Sequence, residues 1–165
     1  MVEAILGILD AVIEIAAEAL GFKISKKRRQ KLNGIKEYRV YNEEEILSLY
    51  KAVGWTAYTD NPKALRKGYQ KSLLTLAAYK NGKLLGIIRA VGDGQTIVFI
   101  QDILVFPEYQ RKGIGTALIK AVLERYKDVR QIELATDNTP ETVAFYKAMG
   151  FSEFSEIGCC GFMRM

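Results

Sequence analysis

The residues able to do chemistry gather in one short stretch, Val105-Phe106-Pro107-Glu108-Tyr109-Gln110-Arg111-Lys112-Gly113-Ile114-Gly115-Thr116-Ala117-Leu118. An apolar run meets a proline, two glycines follow, and a pattern of helical period begins. Consecutive backbone N–H groups at a helix start have no intrahelical acceptor and carry the positive end of the helix dipole. They bind phosphate without needing a charged side chain. Gly113 and Gly115 let a ligand come close to the backbone, while Arg111 and Lys112 attract an anion from further away. The chemistry implied here is the holding of an anion. Bond-making groups must come from elsewhere in the chain.

Several sources of such groups are excluded. The 165 residues contain no histidine, which removes histidine bases, His-ligated zinc and Ser-His-Asp triads together. The two cysteines, Cys159 and Cys160, are neighbours. Bridging them needs a strained ring, so no disulfide framework is expected. Unbridged cysteines suit a reducing, cytoplasmic compartment. Two adjacent thiols are too few ligands for a structural zinc, and no metal is expected. The net charge of +5 is basic without reaching the level of a dedicated nucleic-acid binder. At 49% apolar residues the chain can build a core.

A dinucleotide site is the first alternative for Gly-x-Gly. That fingerprint wants a third small residue where Leu118 stands, although Asp137 lies near the distance of its acidic partner. Antiparallel strands before the loop, and a chain too short for a second domain, count against it.

The elements that must position the loop follow from pattern. Residues 1–35 form an extension. Its apolar run places Glu3, Asp10, Glu14 and Glu18 on one helical stripe, and those acids argue against a membrane span. The reading is an amphipathic helix buried on the domain or on a copy of itself, the latter giving a homodimer. A fused leader is the other origin for it. The basic run Lys26-Lys27-Arg28-Arg29-Gln30-Lys31 offers an anionic-surface or nucleic-acid contact.

The domain proper is 36–165. Ile35–Tyr41 alternates as an edge strand. Asn42 with Glu45 makes a capping box for a helix to about Val53, and residues 54–62 make a loop. Asn61-Pro62 opens a helix to about Ser72. Two strands, 73–79 and 84–91, flank Asn81-Gly82, a hairpin signal. A turn at 92–94 leads into a long strand, 96–105. The loop and a helix over 113–127 come next, then a strand at 131–135. Thr139-Pro140 caps a helix that stops at Gly150. The tail reads as two short strands turning near Gly158. Crossing from strand to helix to strand implies one parallel pair in a mostly antiparallel sheet. The fold class is α+β, a mixed sheet flanked by helices.

With this order in place, Gln110-Arg111-Lys112-Gly113-Ile114-Gly115 resembles the Q/R-x-x-G-x-G/A motif of the GCN5-related N-acetyltransferase (GNAT) superfamily. The downstream block "ELATDNTPETVAFYKAMGF" resembles that family's Asn…Ala-x-x-x-Tyr-x-x-x-Gly-Phe segment. The likeness covers about residues 36–165. It implies acetyl-CoA as cofactor, with its pyrophosphate on Gln110, Arg111, Lys112, Gly113, Ile114, Gly115 and Thr116. It implies that Ile103, Leu104 and Val105 pair with the pantetheine amides as a strand would, and that the Leu104 N–H polarises the thioester carbonyl. Tyr146 aligns with the tyrosine that protonates the departing thiolate, and Asn138 with a residue that touches the cofactor.

The implied reaction is direct acetyl transfer to an amine, which must lose a proton. In the histone-acetylating branch a Glu serves as base; Phe99 stands at that position here. Asp102, Gln101 and a water chain to Glu108 remain; Asp102 is the better candidate because it sits where the strand would splay, and an ion pair with a neighbouring strand is its other reading. Trp55 and Tyr58 fall where the family builds its acceptor site, and core packing is their other reading. Cys159 and Cys160 point to opposite faces of a closing strand, where they are expected as small buried apolar residues because the implied mechanism needs no cysteine nucleophile; an approach of one to the pocket is the other reading. A small-molecule amine is expected rather than a peptide or protein lysine, because no peptide-docking insertion is present. Two other readings stand beside this one: a catalytically silent CoA-binding sensor, and a binding module working through residues 26–31.

Overall fold

The computed structural model describes residues 34–164. The amphipathic helix, the basic run and the homodimer expected through them lie outside the described residues.

The sheet has five strands in the order β1-β2-β3-β4-β5. They are β1 (Ile35–Glu37), β2 (Leu74–Lys80), β3 (Lys83–Gly92), β4 (Ile97–Val105) and β5 (Gln131–Leu134). The first four pair antiparallel and β4 pairs β5 in parallel, as the crossover requires. The hairpin between β2 and β3 closes on Asn81 and Gly82, with φ of 50° and 77°. Positive φ at both positions matches the twist of the flanking strands.

Three helices precede the hairpin. They are α1 (Glu43–Ala52), α2 (Thr56–Thr59) and α3 (Pro62–Gln70). α4 (Ile114–Arg125) and α5 (Pro140–Ala148) follow β4 and β5. Ile46, Leu49 and Tyr50 of α1, with Leu65 and Tyr69 of α3, pack on Ala77, Leu84, Ile87 and Leu104. Ile114, Leu118, Ile119 and Val122 of α4, with Tyr146 of α5, pack on Leu76, Ile88, Val98 and Ile100. Helices thus cover both faces of the sheet, and β2 and β3 are buried almost throughout. Burying a side chain such as Leu118 contributes about 1.5–3 kcal/mol.

Several elements differ from expectation. The first strand stops at Glu37 because the Tyr38 hydroxyl accepts the Asn42 N–H at 3.0 Å and turns the chain into α1. Asn42 caps α1 by accepting the Glu45 N–H at 3.2 Å. The reciprocal half of the box is replaced, since Glu45 accepts from the Tyr38 hydroxyl at 3.3 Å. The loop after Gly54 contains the single turn α2. The tail forms no strand among the described residues. Glu153 and Glu156 instead close a capping box on a 3-10 turn, Phe154–Ile157, which ends at Gly158 with φ 74°. Local capping therefore holds this segment in a turn where a strand was expected. Cys159 and Cys160 follow that turn and are both exposed, so neither is the buried apolar residue expected, and the opposite-face argument for a strand does not apply to them.

Candidate active site

The site begins with a fault in the sheet. β3 and β4 pair Arg89 with Asp102 but Ala90 with Ile100. Gln101 is the extra residue, a β-bulge that bends β4 and increases its twist. Pairing with β5 ends at Ile100 and Leu134. Beyond that point β4 loses its parallel neighbour, and a cleft of about 790 Å³ opens.

The bulge also changes which residues face the cleft. Ile103 and Val105 line it. Leu104 and Asp102 point through the sheet to the other face, 3% and 1% exposed. Backbone direction follows the same alternation. Phe106 N–H donates to Leu85 O at 3.0 Å, so the polar groups of Leu104, two residues back, also face β3. Those of Ile103 and Val105 face the cleft. Gln110 Nε2 confirms the direction by donating to Val105 O at 3.0 Å. The Leu104 N–H expected to polarise a carbonyl is therefore committed to the ladder, and the free N–H groups belong to its neighbours.

The loop after β4 turns on Pro107–Tyr109 and ends at Gly113, the N-cap of α4. Gly113 has φ 81°, and a Cβ there would meet nothing within 4 Å. Its glycine is needed for backbone conformation, not for space. No side chain caps α4. The first bond of the turn runs from Ala117 N–H to Gly113 O at 3.0 Å, which leaves the N–H groups of Ile114, Gly115 and Thr116 without a helical acceptor. Arg111 holds φ 58°, a left-handed conformation that costs a non-glycine residue about 1–2 kcal/mol. Gln110, Arg111, Gly113, Gly115 and Thr116 line the cleft. Lys112 and Ile114 do not. Lys112 Nζ donates to Glu108 O at 2.6 Å and lies 5.4 Å from the Tyr109 ring centre. The Ile114 side chain is buried in the core.

The opposite wall comes from β5 and α5. Ala135, Thr136 and Asp137 line it, followed by Glu141, Thr142, Phe145 and Tyr146. Thr139 caps α5 by accepting the Thr142 N–H at 3.3 Å. Asn138 is exposed and outside the lining. Tyr146 is 9% exposed and sits edge-on to Phe145 and Phe151, with ring centres 5.1 Å and 5.9 Å away. Burial raises its phenol above the ordinary tyrosine value, with Thr136 acting against that rise and Asp137 adding to it. The phenol therefore keeps its proton at neutral pH.

Asp102 lies in a different environment from the one expected of a base. Its Oδ2 accepts from Arg89 Nε and, at 2.8 Å, from the Tyr50 hydroxyl. Tyr69 extends the chain by donating to the Tyr50 hydroxyl at 3.3 Å. The Asp102 side chain is 0% exposed and does not line the cleft. Gln101 does line it. Glu108 is turned outward, 3.7 Å from Lys83 Nζ.

Trp55 reaches the cleft near Gln101 and stacks on Tyr58, with 5.7 Å between ring centres and 24° between planes. Tyr58 packs on Tyr50 at 5.4 Å and lines a separate shallow hollow, Gly54–Tyr58. Thr142, Phe145 and Glu141 escaped the sequence reading, although Thr142 and Tyr146 are four apart on one helix face. That spacing was the available signal. Among the described residues no group of three or more His, Cys, Asp or Glu is placed to hold a metal ion. No helix among them is long and apolar enough to cross a membrane.

Comparison with known proteins adds to this geometry. The model of the acetyltransferase (GNAT) family matches residues 38–151. An uncharacterized N-acetyltransferase ycf52 of Gracilaria tenuistipitata var. liui is 30% identical over 117 residues, covering 67% of this chain and 62% of that protein. The GCN5-related N-acetyltransferase 1, chloroplastic, of Arabidopsis thaliana is 26% identical, covering 67% of this chain and 56% of its own length. The chain thus spans only about three-fifths of these curated relatives. Among solved structures, the GNAT family acetyltransferase SP0256 of Streptococcus pneumoniae TIGR4 superposes with a TM-score of 0.73 at 39% identity, covering 80% of this chain and 96% of that one.

Proposed function

The chain belongs to the GNAT family of acetyltransferases, and from that premise we propose that it transfers an acetyl group from acetyl-CoA directly to a primary amine. One observation carries the reading: uncapped N–H groups at the start of α4 and the free edge of β4 face one cleft, with Tyr146 on its far wall.

The residues present fit CoA. Phosphate oxygens find N–H donors at Ile114, Gly115 and Thr116, with Arg111 beside them. Gln110 fastens the loop to β4. The pantetheine amides find the exposed backbone of Ile103 and Val105, as an added strand would. When bound, acetyl-CoA supplies an activated thioester. The cleft-facing N–H of Ile103 or Val105 is then placed to hold the thioester oxygen, a role the ladder denies to Leu104. Lys112 and Ile114 shape the loop through their side chains and contribute their backbone alone.

Tyr146 supplies the proton at sulfur. A phenol held above the ordinary tyrosine value is a weaker acid than a thiol, so protonating a thiolate from it runs uphill. Tyr146 therefore donates a strong hydrogen bond, with full transfer coupled to repayment of its proton. Asp102, held by Arg89 and Tyr50, is assigned to anchoring the bulge rather than to proton removal. Trp55, backed by Tyr58 from outside the cleft, forms the acceptor wall, which suits a small amine with an apolar or cationic end. The reducing, cytoplasmic setting expected from unbridged cysteines belongs to this proposal. The word chloroplastic in the Arabidopsis relatives' names applies to those proteins.

A CoA-binding sensor is the second reading, favoured by the withdrawal of Asp102 from the cleft. Two measurements decide between them. CoA at 100 times its Kd should add about 2.7 kcal/mol of stability in a thermal shift; no shift overturns both readings. Thiol release from acetyl-CoA across a panel of amines and peptides then separates enzyme from sensor.

A further inference from the structure

Among the described residues the sheet ends on β5, whose outer edge has no strand beside it. Gln131 N–H donates to Thr96 O at 3.2 Å, so the backbone groups of Gln131 and Glu133 face β4. By the same alternation those of Ile132 and Leu134 face outward. None of these outward groups has a partner among the described residues. A row of free N–H and C=O groups is a template for a further strand.

The tail supplies a segment that lacks a partner of its own. Residues 159–164 lie in no helix or strand and are exposed. Phe162 is 95% exposed and Met163 76%, two adjacent apolar side chains left in water. The start of the tail is fastened elsewhere than to the sheet. Lys147 Nζ on α5 lies 2.7 Å from both Glu153 and Glu156, the two residues that cap the 3-10 turn. Cys159 N–H then donates to Phe154 O at 2.7 Å. These bonds hold the turn against α5 and present the six residues beyond it to solvent. Charge agrees with a contact to β5. Arg164 in the tail and Glu133 on β5 are both without an ion-pair partner among the described residues.

We propose that residues 159–164 of one molecule add as a strand to the β5 edge of a second copy, and that two copies exchange tails in a closed dimer. One two-fold axis relates both tails to both edges, so the exchange is reciprocal. The main-chain bonds go to Ile132 and Leu134, as in strand addition by an extended peptide. Phe162 and Met163 gain a neighbouring strand to pack on. The strand pattern of the tail, unmet within one molecule, is met between two.

The test uses the full chain in reducing buffer. Sedimentation equilibrium should give a dimer. Phe162→Glu combined with Met163→Glu should raise its Kd by about tenfold or more. Both side chains are exposed, so the far-UV circular dichroism should stay that of the parent. Phe162→Leu combined with Met163→Leu should dimerise like the parent, which separates apolar burial from any change in the tail. Amide exchange at Ile132 and Leu134 should be slow in the dimer and fast in the charged variant. A parent that stays monomeric up to its solubility limit overturns the proposal; slow exchange at those amides in that monomer would show the tail on its own sheet. A charged variant that associates as tightly as the parent also overturns it and puts the contact elsewhere in the chain.

Discussion

Arg89 and Asp102 form a buried ion pair across β3 and β4, at the register shift beside the bulged Gln101. Their side chains are 8% and 0% exposed. Arg89 also lies 5.2 Å from the Tyr69 ring centre and donates to Ser72 Oγ at 3.3 Å. The pair therefore ties the bulge that opens the cleft to the helices on the opposite face of the sheet. Asp102→Ala should cost about 3–5 kcal/mol, because it strands a buried guanidinium. Replacing both partners with apolar residues should recover much of that loss. Urea unfolding of the two singles and the double measures it. A D102A protein as stable as the parent would show that the pair anchors nothing.

The direction of the β4 edge is testable with proline, which removes one N–H. Leu104→Pro deletes a ladder bond and should destabilise the fold by about 3 kcal/mol or more. Ile103→Pro removes an N–H that faces the cleft, where a free edge tolerates proline better. It should keep more stability than L104P yet bind CoA more weakly. Calorimetry on both proteins settles which N–H is free; equal damage from the two would contradict the alternation.

Gly113→Ala places a Cβ on a backbone at φ 81°. The strain should cost about 1–2 kcal/mol and move the N–H groups that begin α4. The CoA thermal shift should shrink in parallel. Gly115 has ordinary φ, and a Cβ there would touch Phe145 at 3.6 Å, so Gly115→Ala should be the milder change.

Tyr146→Phe keeps the ring packed between Phe145 and Phe151 and removes the phenol hydroxyl. Turnover should fall by about 10²-fold or more, with CoA affinity nearly unchanged. Unaltered turnover would take Tyr146 out of the mechanism.

Asp93 governs part of the acid stability. Its carboxylate accepts from the N–H groups of Gln95, Thr96 and Ile97 at 2.8, 2.8 and 3.0 Å. The Thr96 hydroxyl donates as well, and these bonds hold the carboxyl far below its usual range. A lowered folded-state value means stability that is present above the unfolded pKa of about 3.9 and lost as pH falls towards the folded one. Asp93→Asn should therefore be less stable than the parent near neutrality. The gap should narrow below about pH 4. A gap independent of pH would remove charge from the explanation.

Much of this was legible in the chain. Asn81-Gly82, Asn42, Asn61-Pro62 and Thr139-Pro140 act through their own neighbours, and each is found at the turn or cap it announces. The Gly113 loop and Tyr146 stood out for the same reason, as fixed residue types at fixed spacing. Spacing also places Thr142 one turn before Tyr146, where it shares the cleft wall.

Other features had no local signal. Nothing in "FIQDILV" marks Gln101 as the extra residue, because a bulge exists only relative to a paired strand. That single offset sends Asp102 and Leu104 to the far face and gives the cleft to Ile103 and Val105. The partner of Asp102 is thirteen residues away, and Tyr50 fifty-two. The tail read as two short strands turning near Gly158, yet a local capping box at Glu153 and Glu156 took over its start. The amino-acid sequence by itself determined the order of the main helices and sheet strands, the glycine loop before α4 and the family, since these rest on local conformational preference and residue type. Only the tertiary structure decided which backbone groups face the cleft and which carboxylates line it, because strand register and burial are set between segments distant in the chain.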